Sequence, residues 1–512
     1  MTANGELNDA PPSYEQSQKA AVSVSPIVAA AAESSLASSA TVSDHSHPVI
    51  LSTKDGKTPV VVDSCVTKAR CEAHLLILGE FDKLQAPYDE VADLTFLCRS
   101  EIRYEAWMRA LASELKIDPH LIDDPPIPPV DVAKFWFAHM LSPIRYCDDM
   151  NRLFGREILD VSFPLERMAQ HLHHGTTCQT SHNFWYFKVS RTMPYKVGPW
   201  TAESLLPLSV QCPKCGRVLE PDADAYLRYR FNGQQLTCAD CTTVFSVNEV
   251  SARRFLNEIK AAVEAGGTYT ALPGVHIEPK RRTWSRSNGV PELGLLLGHS
   301  SWTMLFASMQ DKKSPLPTWE TVLNTAVRPS FDATRDKMNL CRTLVAAYRD
   351  IATGPWSMDL VQAVLRQRDF ARKIAVTDYS DRTRRIATQA TVRWRNLLLL
   401  LEKHRDLFMV PTLDIDLAWH THQLHPRRYA DYTLNKLGAV LNHDDTIESP
   451  RLKNGFTKTA RAWASMFNEP YACDASFRSY WTPGKVAAAT IAAPVALPLL
   501  MQRATKHKAA IN

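Results

Sequence analysis

The sequence predicts a mainly α protein: a duplicated helical domain with a small β zinc-ribbon insertion and a disordered N-terminal tail. Three observations predict it. Apolar residues recur three and four apart through most of residues 60–200 and 326–475, the period of amphipathic helices. Each half contains one copy of the same twenty-residue unit, VDVAKFWFAHMLSPIRYCDD at 130–149 and LDIDLAWHTHQLHPRRYADY at 413–432. Between the halves, at 205–255, the helical pattern gives way to two Cys-x-x-Cys pairs flanked by strand-like pieces.

The totals agree with this organisation. A chain of 512 residues is long enough for two or three folded units with tails. Its 45% hydrophobic and 22% charged composition is that of a water-soluble globular protein. A net charge of +5 is small for this length and argues against bulk attraction to nucleic acid or a membrane surface. The eleven cysteines show no disulfide-framework spacing and no secretory leader is evident, which points to a reducing compartment, the cytoplasm or the nucleus.

Taken in order, residues 1–55 are rich in Ala, Ser, Val and Thr without an amphipathic period, and are expected to be disordered. They carry a Pro-Pro-x-Tyr motif, Pro11, Pro12 and Tyr14, which presets a polyproline II strand for an aromatic groove. The expected partner is a WW-domain protein such as a ubiquitin ligase. Residues 60–200 form the first helical half. Within its unit, Asp131 is placed to cap a helix running through Leu141, and Ser142-Pro143 to open a second helix ending near Gly155. Residues 205–255 form the ribbon, with Asn232-Gly233 as a hairpin signal. Residues 256–325 read as a connection, holding a basic patch at Lys280, Arg281, Arg282 and Arg286, and 326–475 as the second helical half. Residues 476–512 form an apolar and basic tail. Its apolar run near 486–502 is short and broken by Pro494 and Pro498, so a membrane tail anchor is the lesser reading.

Cys212-x-x-Cys215 and Cys238-x-x-Cys241, separated by 22 residues, are the most specific chemical signal. Two residues between cysteines let both thiolates reach one ion, and two such pairs complete a tetrahedral shell, so the expected cofactor is a structural zinc. The charges between them balance, with Lys214, Arg217, Arg228 and Arg230 against Glu220, Asp222, Asp224 and Asp240, which leaves no basic footprint for nucleic acid.

The two units share eight positions without a gap, among them Asp131/Asp414, Trp136/Trp419, His139/His422, Arg145/Arg428, Tyr146/Tyr429 and Asp148/Asp431. A residue present in both copies is read as architectural: His139 and His422 as buried hydrogen-bonding groups, Arg145/Asp148 and Arg428/Asp431 as local ion pairs at i, i+3. The copies differ at His420, His425 and Asp416, which stand opposite Phe137, Ser142 and Ala133, and at His443-Asp444-Asp445, opposite Asp160-Val161-Ser162. The candidates for a metal or general acid/base site are therefore His420, His422, His425, His443, Asp444 and Asp445. His420 and His422 lie about 200° apart on a helix and should not share an ion, whereas His422 and His425 can share a face. The cluster of His171, His173, His174 and Cys178 reads as an exposed helix end.

The second unit with its flanks, VPTLDIDLAWHTHQLHPRRYADY, NHDDTIES and FTKTARAWASMF, together with the upstream MDLVQAVLRQRDFARK, resembles the glycine-rich domain-containing protein-like family of plants and fungi, a domain of unknown function. The resemblance extends over roughly residues 60–475 and looks like the fungal branch, which is similar in carrying a cysteine-pair insertion. The chain departs from the family name, having only 18 glycines and no glycine-rich tail. The resemblance implies a role in stress or developmental response and no settled catalytic activity. The dioxygenase label borne by some fungal relatives implies a β-barrel scaffold that the helical periodicity does not supply. The expected function is thus a non-enzymatic intracellular interaction or regulatory scaffold. The alternatives are a metal-dependent enzyme built on the second copy's His/Asp cluster, and a nucleic-acid-binding protein.

Overall fold

The computed structural model describes residues 49–51, 60–200, 206–264, 272–274, 300–310, 314–327, 343–349, 351, 354–375, 381–447 and 449–472. Pro11, Pro12, Tyr14, the Lys280–Arg286 patch and the apolar C-terminal run lie outside them. A short ladder of β1 (Val49–Leu51) and β2 (Val60–Val62) is followed by helices α1 (Lys68–Lys83), α2 (Glu90–Leu115), α3 (Val130–Met140), α4 (Pro143–Phe154), α5 (Leu165–His173) and α6 (Gln179–Phe184), the last continuing into a π-turn through Val189. Next come β3 (Val210–Gln211), β4 (Val218–Leu219), α7 (Ala223–Asn232), β5 (Leu236–Thr237) and β6 (Val244–Phe245). The remaining helices are α8 (Val247–Glu264), α9 (Ser300–Gln310), α10 (Trp319–Val322), α11 (Leu360–Ala375), α12 (Asp381–Lys403), α13 (Leu413–Gln423), α14 (Pro426–Leu437) and α15 (Ser449–Phe467). The fold is mainly helical, as expected, and β3–β4 and β5–β6 are two antiparallel two-stranded sheets.

Local chemistry sets the helix starts. Thr67 and Asp89 cap α1 and α2 by accepting from Arg70 N and Ala92 N at 3.2 and 2.9 Å. The units repeat at the level of backbone angles. Leu141 and Leu424 close the first helix at φ/ψ −71/1° and −69/1°, and Ser142 and His425 open the second at −116/70° and −122/74°. Pro143 and Pro426 take the first turn, where an absent N–H costs nothing. Gly155 and Gly438 end the second helices at φ +97° and +73°, which favour glycine. Two expectations change here. Asp131 is not the cap of α3, which starts after Pro129, because Arg103 takes its carboxylate at 2.6 Å. Asn232 and Gly233 end α7 rather than turn a hairpin, with Gly233 at φ +69°.

The duplication reaches well beyond the units. Arg103 of α2 pairs with Asp131, and Arg393 of α12 pairs with Asp414, both at 2.6 Å and both buried. Each guanidinium lies over an indole, Arg103 on Trp185 at 4.4 Å and Arg393 on Trp463 at 5.0 Å. Each also donates to the carbonyl of a tyrosine, Tyr195 or Tyr471. Those tyrosines in turn donate their hydroxyls to Ile127 O and Val410 O, at 2.8 Å in both cases. The N–H groups of the same Ile127 and Val410 donate to Ser181 Oγ and Thr459 Oγ1 at 2.8 and 3.1 Å. Two equivalent bundles, α2–α3–α4–α6 and α12–α13–α14–α15, follow from these pairings.

The bundles share one core that includes Trp107, Trp136, Trp394 and Trp463. Helix α1 packs against α3 and α5 of the first half and against α11, α12 and α13 of the second. The two units also cap each other. Phe163 N donates to Leu424 O at 2.9 Å, His443 Nδ1 lies 2.8 Å from Leu141 O, and Arg427 reaches Asp160 at 2.9 Å. Residues 256–325, expected as a connection, contribute Ile259, Trp302, Trp319 and Val322 to a second, smaller core with Phe255 and Tyr348.

Candidate metal centres

The shared Trp, His and Tyr of the units make the same kind of contact in both copies. Trp136 Nε1 donates to Tyr146 OH at 2.9 Å, and Trp419 Nε1 to Tyr429 OH at 2.8 Å, tying the first helix of each unit to the second. His139 and His422 are buried and are each held at Nδ1 by an aromatic group of the neighbouring long helix, Tyr104 OH at 3.0 Å and Trp394 Nε1 at 3.3 Å. At Nε2 each faces a carboxylate, Asp149 at 3.2 Å and Asp63 at 3.5 Å. Because the indole N–H can only donate, His422 Nδ1 accepts, and its proton sits on Nε2 towards Asp63. Burial would raise the Asp63 and Asp149 carboxyls, but the Nε2–H of His422 with the Arg428 charge, and the Arg152 charge with the His139 hydrogen bond, outweigh it and hold both well below the usual range.

The predicted i, i+3 pair of the second copy is not formed. Arg428 instead donates to Asp63 at 2.5 Å and Ser64 at 2.6 Å, anchoring the segment before α1. In the first copy Asp148 accepts from Gly274 N at 2.6 Å. Asp63, Cys65 and His422 sit close together, but the Arg428 guanidinium already occupies the Asp63 carboxylate.

The six candidate residues separate. His425 turns to Ser162 of the other copy, with Nδ1 2.8 Å from Oγ. Asp444 accepts from Thr446 N and Oγ1 at 2.9 and 2.6 Å, and Asp445 pairs with Arg366 at 2.9 Å. His422 belongs to the Asp63 network, so it shares no site with His425. His420 and His443 do converge, with Nε2 atoms 3.1 Å apart, and Asp416 joins them. Asp416 was visible in the sequence as a second-copy difference one helical turn before His420, a spacing that puts both on one face of α13. His171, His173 and His174 lie at the end of α5, half-buried or exposed, where His171 Nδ1 meets Thr176 Oγ1 at 2.9 Å.

The four cysteines cluster as expected. Cys212 and Cys241 sulfurs lie 3.7 Å apart and those of Cys215 and Cys238 3.6 Å, with all four within 4.8 Å of one another. Sulfurs at about 2.3 Å from a tetrahedral ion stand about 3.8 Å apart, close to both of these separations, so the donor set suits zinc. Each pair is a tight knuckle: Cys212 N donates to Arg217 O at 2.8 Å and Cys238 N to Thr243 O at 2.9 Å. Gly216 and Thr242 complete the turns at φ +81° and +56°. Helix α7, between the knuckles, is fastened to the main core by Arg230, which pairs with Glu101 at 2.6 Å and Asp359 at 3.1 Å. Arg217 and Arg228 pair with Asp240 and Asp224, leaving no run of unpaired cations on the knuckles.

Fold and sites together define a class, a duplicated helical protein with an inserted four-cysteine knuckle pair. The profile of the "Glycine-rich domain-containing protein-like" family matches residues 311–432, the second copy and the segment before it. The chain is similar to glycine-rich domain-containing protein 1 of Arabidopsis thaliana, 37% identical over 121 residues, and to protein 2 of the same plant, 35% identical over 134. These stretches cover 22% and 25% of this chain but only 14% and 16% of the relatives. No solved structure matches the chain. No helix among the described residues is long and apolar enough to cross a membrane.

Proposed function

We propose that the chain acts as a non-enzymatic intracellular interaction or regulatory scaffold, in the cytoplasm or nucleus, of the fungal type that carries a zinc-bound cysteine-pair insertion. The observation that carries this reading is the use of the shared residues. Both copies commit their Asp, Trp, His and Tyr to the same buried internal contacts, so the most repeated chemistry builds architecture. A four-thiolate zinc is closed and braces α7 against α2. The Pro11-Pro12-x-Tyr14 motif would recruit a WW-domain partner such as a ubiquitin ligase, in a stress or developmental response. Binding of the full chain to an isolated WW domain, compared with the Tyr14→Ala variant, tests the recruitment. A loss of at least about tenfold, roughly 1.4 kcal/mol, is expected, and equal binding would refute it. Zinc content tests the brace: Cys212→Ser should release one sulfur-bound zinc, and an oxidised, metal-free cysteine set in the purified chain would contradict it.

A metal-dependent activity is the second reading, favoured by one observation, the convergence of Asp416, His420 and His443 on the wall of a cavity.

A further inference from the structure

We infer that Asp416, His420 and His443 form a mononuclear divalent transition-metal site, distinct from the four cysteines and open to the adjoining cavity. The site goes beyond the scaffold reading and does not depend on it.

Three donor atoms define the site. His420 Nε2 lies 3.1 Å from His443 Nε2 and 3.3 Å from Asp416 Oδ1, and His443 Nε2 lies 3.9 Å from the same Oδ1. The equidistant point in the plane of the three is about 2.0 Å from each, which is the bond length of imidazole nitrogen and carboxylate oxygen to zinc. Hydrogen bonding satisfies the arrangement only in part: the two Nε2 atoms stand within hydrogen-bond distance of each other, and the carboxylate is left out. Asp416 Oδ1 is buried and accepts no hydrogen bond, although an imidazole nitrogen stands 3.3 Å away.

The carboxylates elsewhere in the core show what Asp416 lacks. Asp63, Asp131, Asp149 and Asp414 each face a guanidinium, from Arg428, Arg103, Arg152 and Arg393. Among the described residues Asp416 has only the two imidazoles within ion-pair distance. A largely enclosed carboxylate with no guanidinium or ammonium beside it is costly unless a cation completes it. The His443 ring is oriented for ligation. Leu141 O, 2.8 Å from Nδ1, can only accept, so the proton sits on Nδ1 and the Nε2 lone pair points at the triad.

The first copy supplies an internal control. Its residues at these positions are Ala133, Phe137 and Asp160, and Phe137 packs edge-on against Phe81 and His74 while Asp160 pairs with Arg427. The triad therefore occurs where nothing in the shared architecture requires it.

Two imidazoles and one carboxylate fill three positions of a zinc, cobalt, iron(II) or manganese ion and leave the rest open. They open onto a cavity of about 660 Å³ whose wall includes Phe370 and Asn442 and whose exposed rim carries Lys373, Arg405 and Arg451. The rim also carries Asp406 and Asp444, so its charges are mixed, and the open coordination positions rather than the rim admit an exogenous ligand.

The test is cobalt(II) titration of the metal-stripped, reduced full chain. Two equivalents are expected, one with intense thiolate charge-transfer bands and one with weak d–d bands only. Cys212→Ser should remove the first set and leave the second. His443→Ala should remove the second and leave the first, and Asp416→Asn, which keeps the side-chain volume, replaces it if that variant loses its helical circular dichroism. Azide should shift the d–d bands without changing the thiolate bands, as an open site requires. A single equivalent, or a second one that survives both His443→Ala and Asp416→Asn, overturns the site. Indifference to azide overturns its openness.

Discussion

The two units of the duplication have the same backbone and the same Trp–Tyr, Arg–Asp and aromatic–His contacts, yet one is filled with apolar side chains where the other gathers titratable ones. Behind Trp136, the first copy places Phe137 edge-on against Phe81 and His74, with Ala133 buried. Behind Trp419, the second copy places His420 and Asp416 beside His443 and a cavity. The difference teaches that repetition and chemistry are separable here. What recurs holds the bundles together, and what does not recur collects at one wall of the second bundle.

The largest effect should come from the contact that recurs most completely. Asp131→Ala and Asp414→Ala each leave a buried arginine unpaired, a loss of about 3–5 kcal/mol. Urea unfolding of the two variants should show similar losses, and indifference to one of them would break the equivalence of the copies. Tyr146→Phe and Tyr429→Phe each leave an indole N–H unpaired, for about 1–3 kcal/mol. Tyr429→Phe should cost more, because its hydroxyl also donates to Leu441 O at 2.6 Å. A larger loss from Tyr146→Phe would reverse that ranking.

A smaller effect sharpens the contrast through acid. Burial depresses the His425 ring well below 6.5, and neighbouring cations including Arg70 and Arg428 depress it further. The unfolded chain then binds the proton more readily, so this contribution is complete above pH 6.5 and is lost as pH falls towards the folded value, by at most about 1.4 kcal/mol per pH unit. Chemical unfolding between pH 7.5 and 5.5 should show this slope, and His425→Gln should reduce it. In the first copy the corresponding residue is Ser142, which cannot titrate. An unchanged slope in His425→Gln would show that the ring is not the group responsible.

Much of this was legible in the sequence, because the unit keeps one offset of 283 residues throughout and its Trp and Tyr lie at fixed helical spacing. The cysteine knuckles were legible for the same reason, being local. Asp63 is 359 residues from His422 and belongs to no motif, so nothing local announced it. The matched arginines and tryptophans were obscured by a change of register. Arg103 and Arg393 stand 290 apart and Trp185 and Trp463 278 apart, because the connecting loops differ in length while the contacts do not. Asp131 read as a cap since a short acidic side chain at a helix start usually accepts from the backbone, but a buried guanidinium competes better. The helical wheel separated His420 from His422 correctly. It could not bring in His443, which arrives from the loop after α14 and is turned by a carbonyl of the other copy.

The central claim is that the second copy alone adds a metal centre to a shared architecture. Anomalous diffraction at the cobalt edge from a crystal of the cobalt-loaded full chain tests it most directly. Two peaks are expected, one among Cys212, Cys215, Cys238 and Cys241 and one among Asp416, His420 and His443, with none beside Ala133 and Phe137. A peak at the cysteines alone would contradict the account.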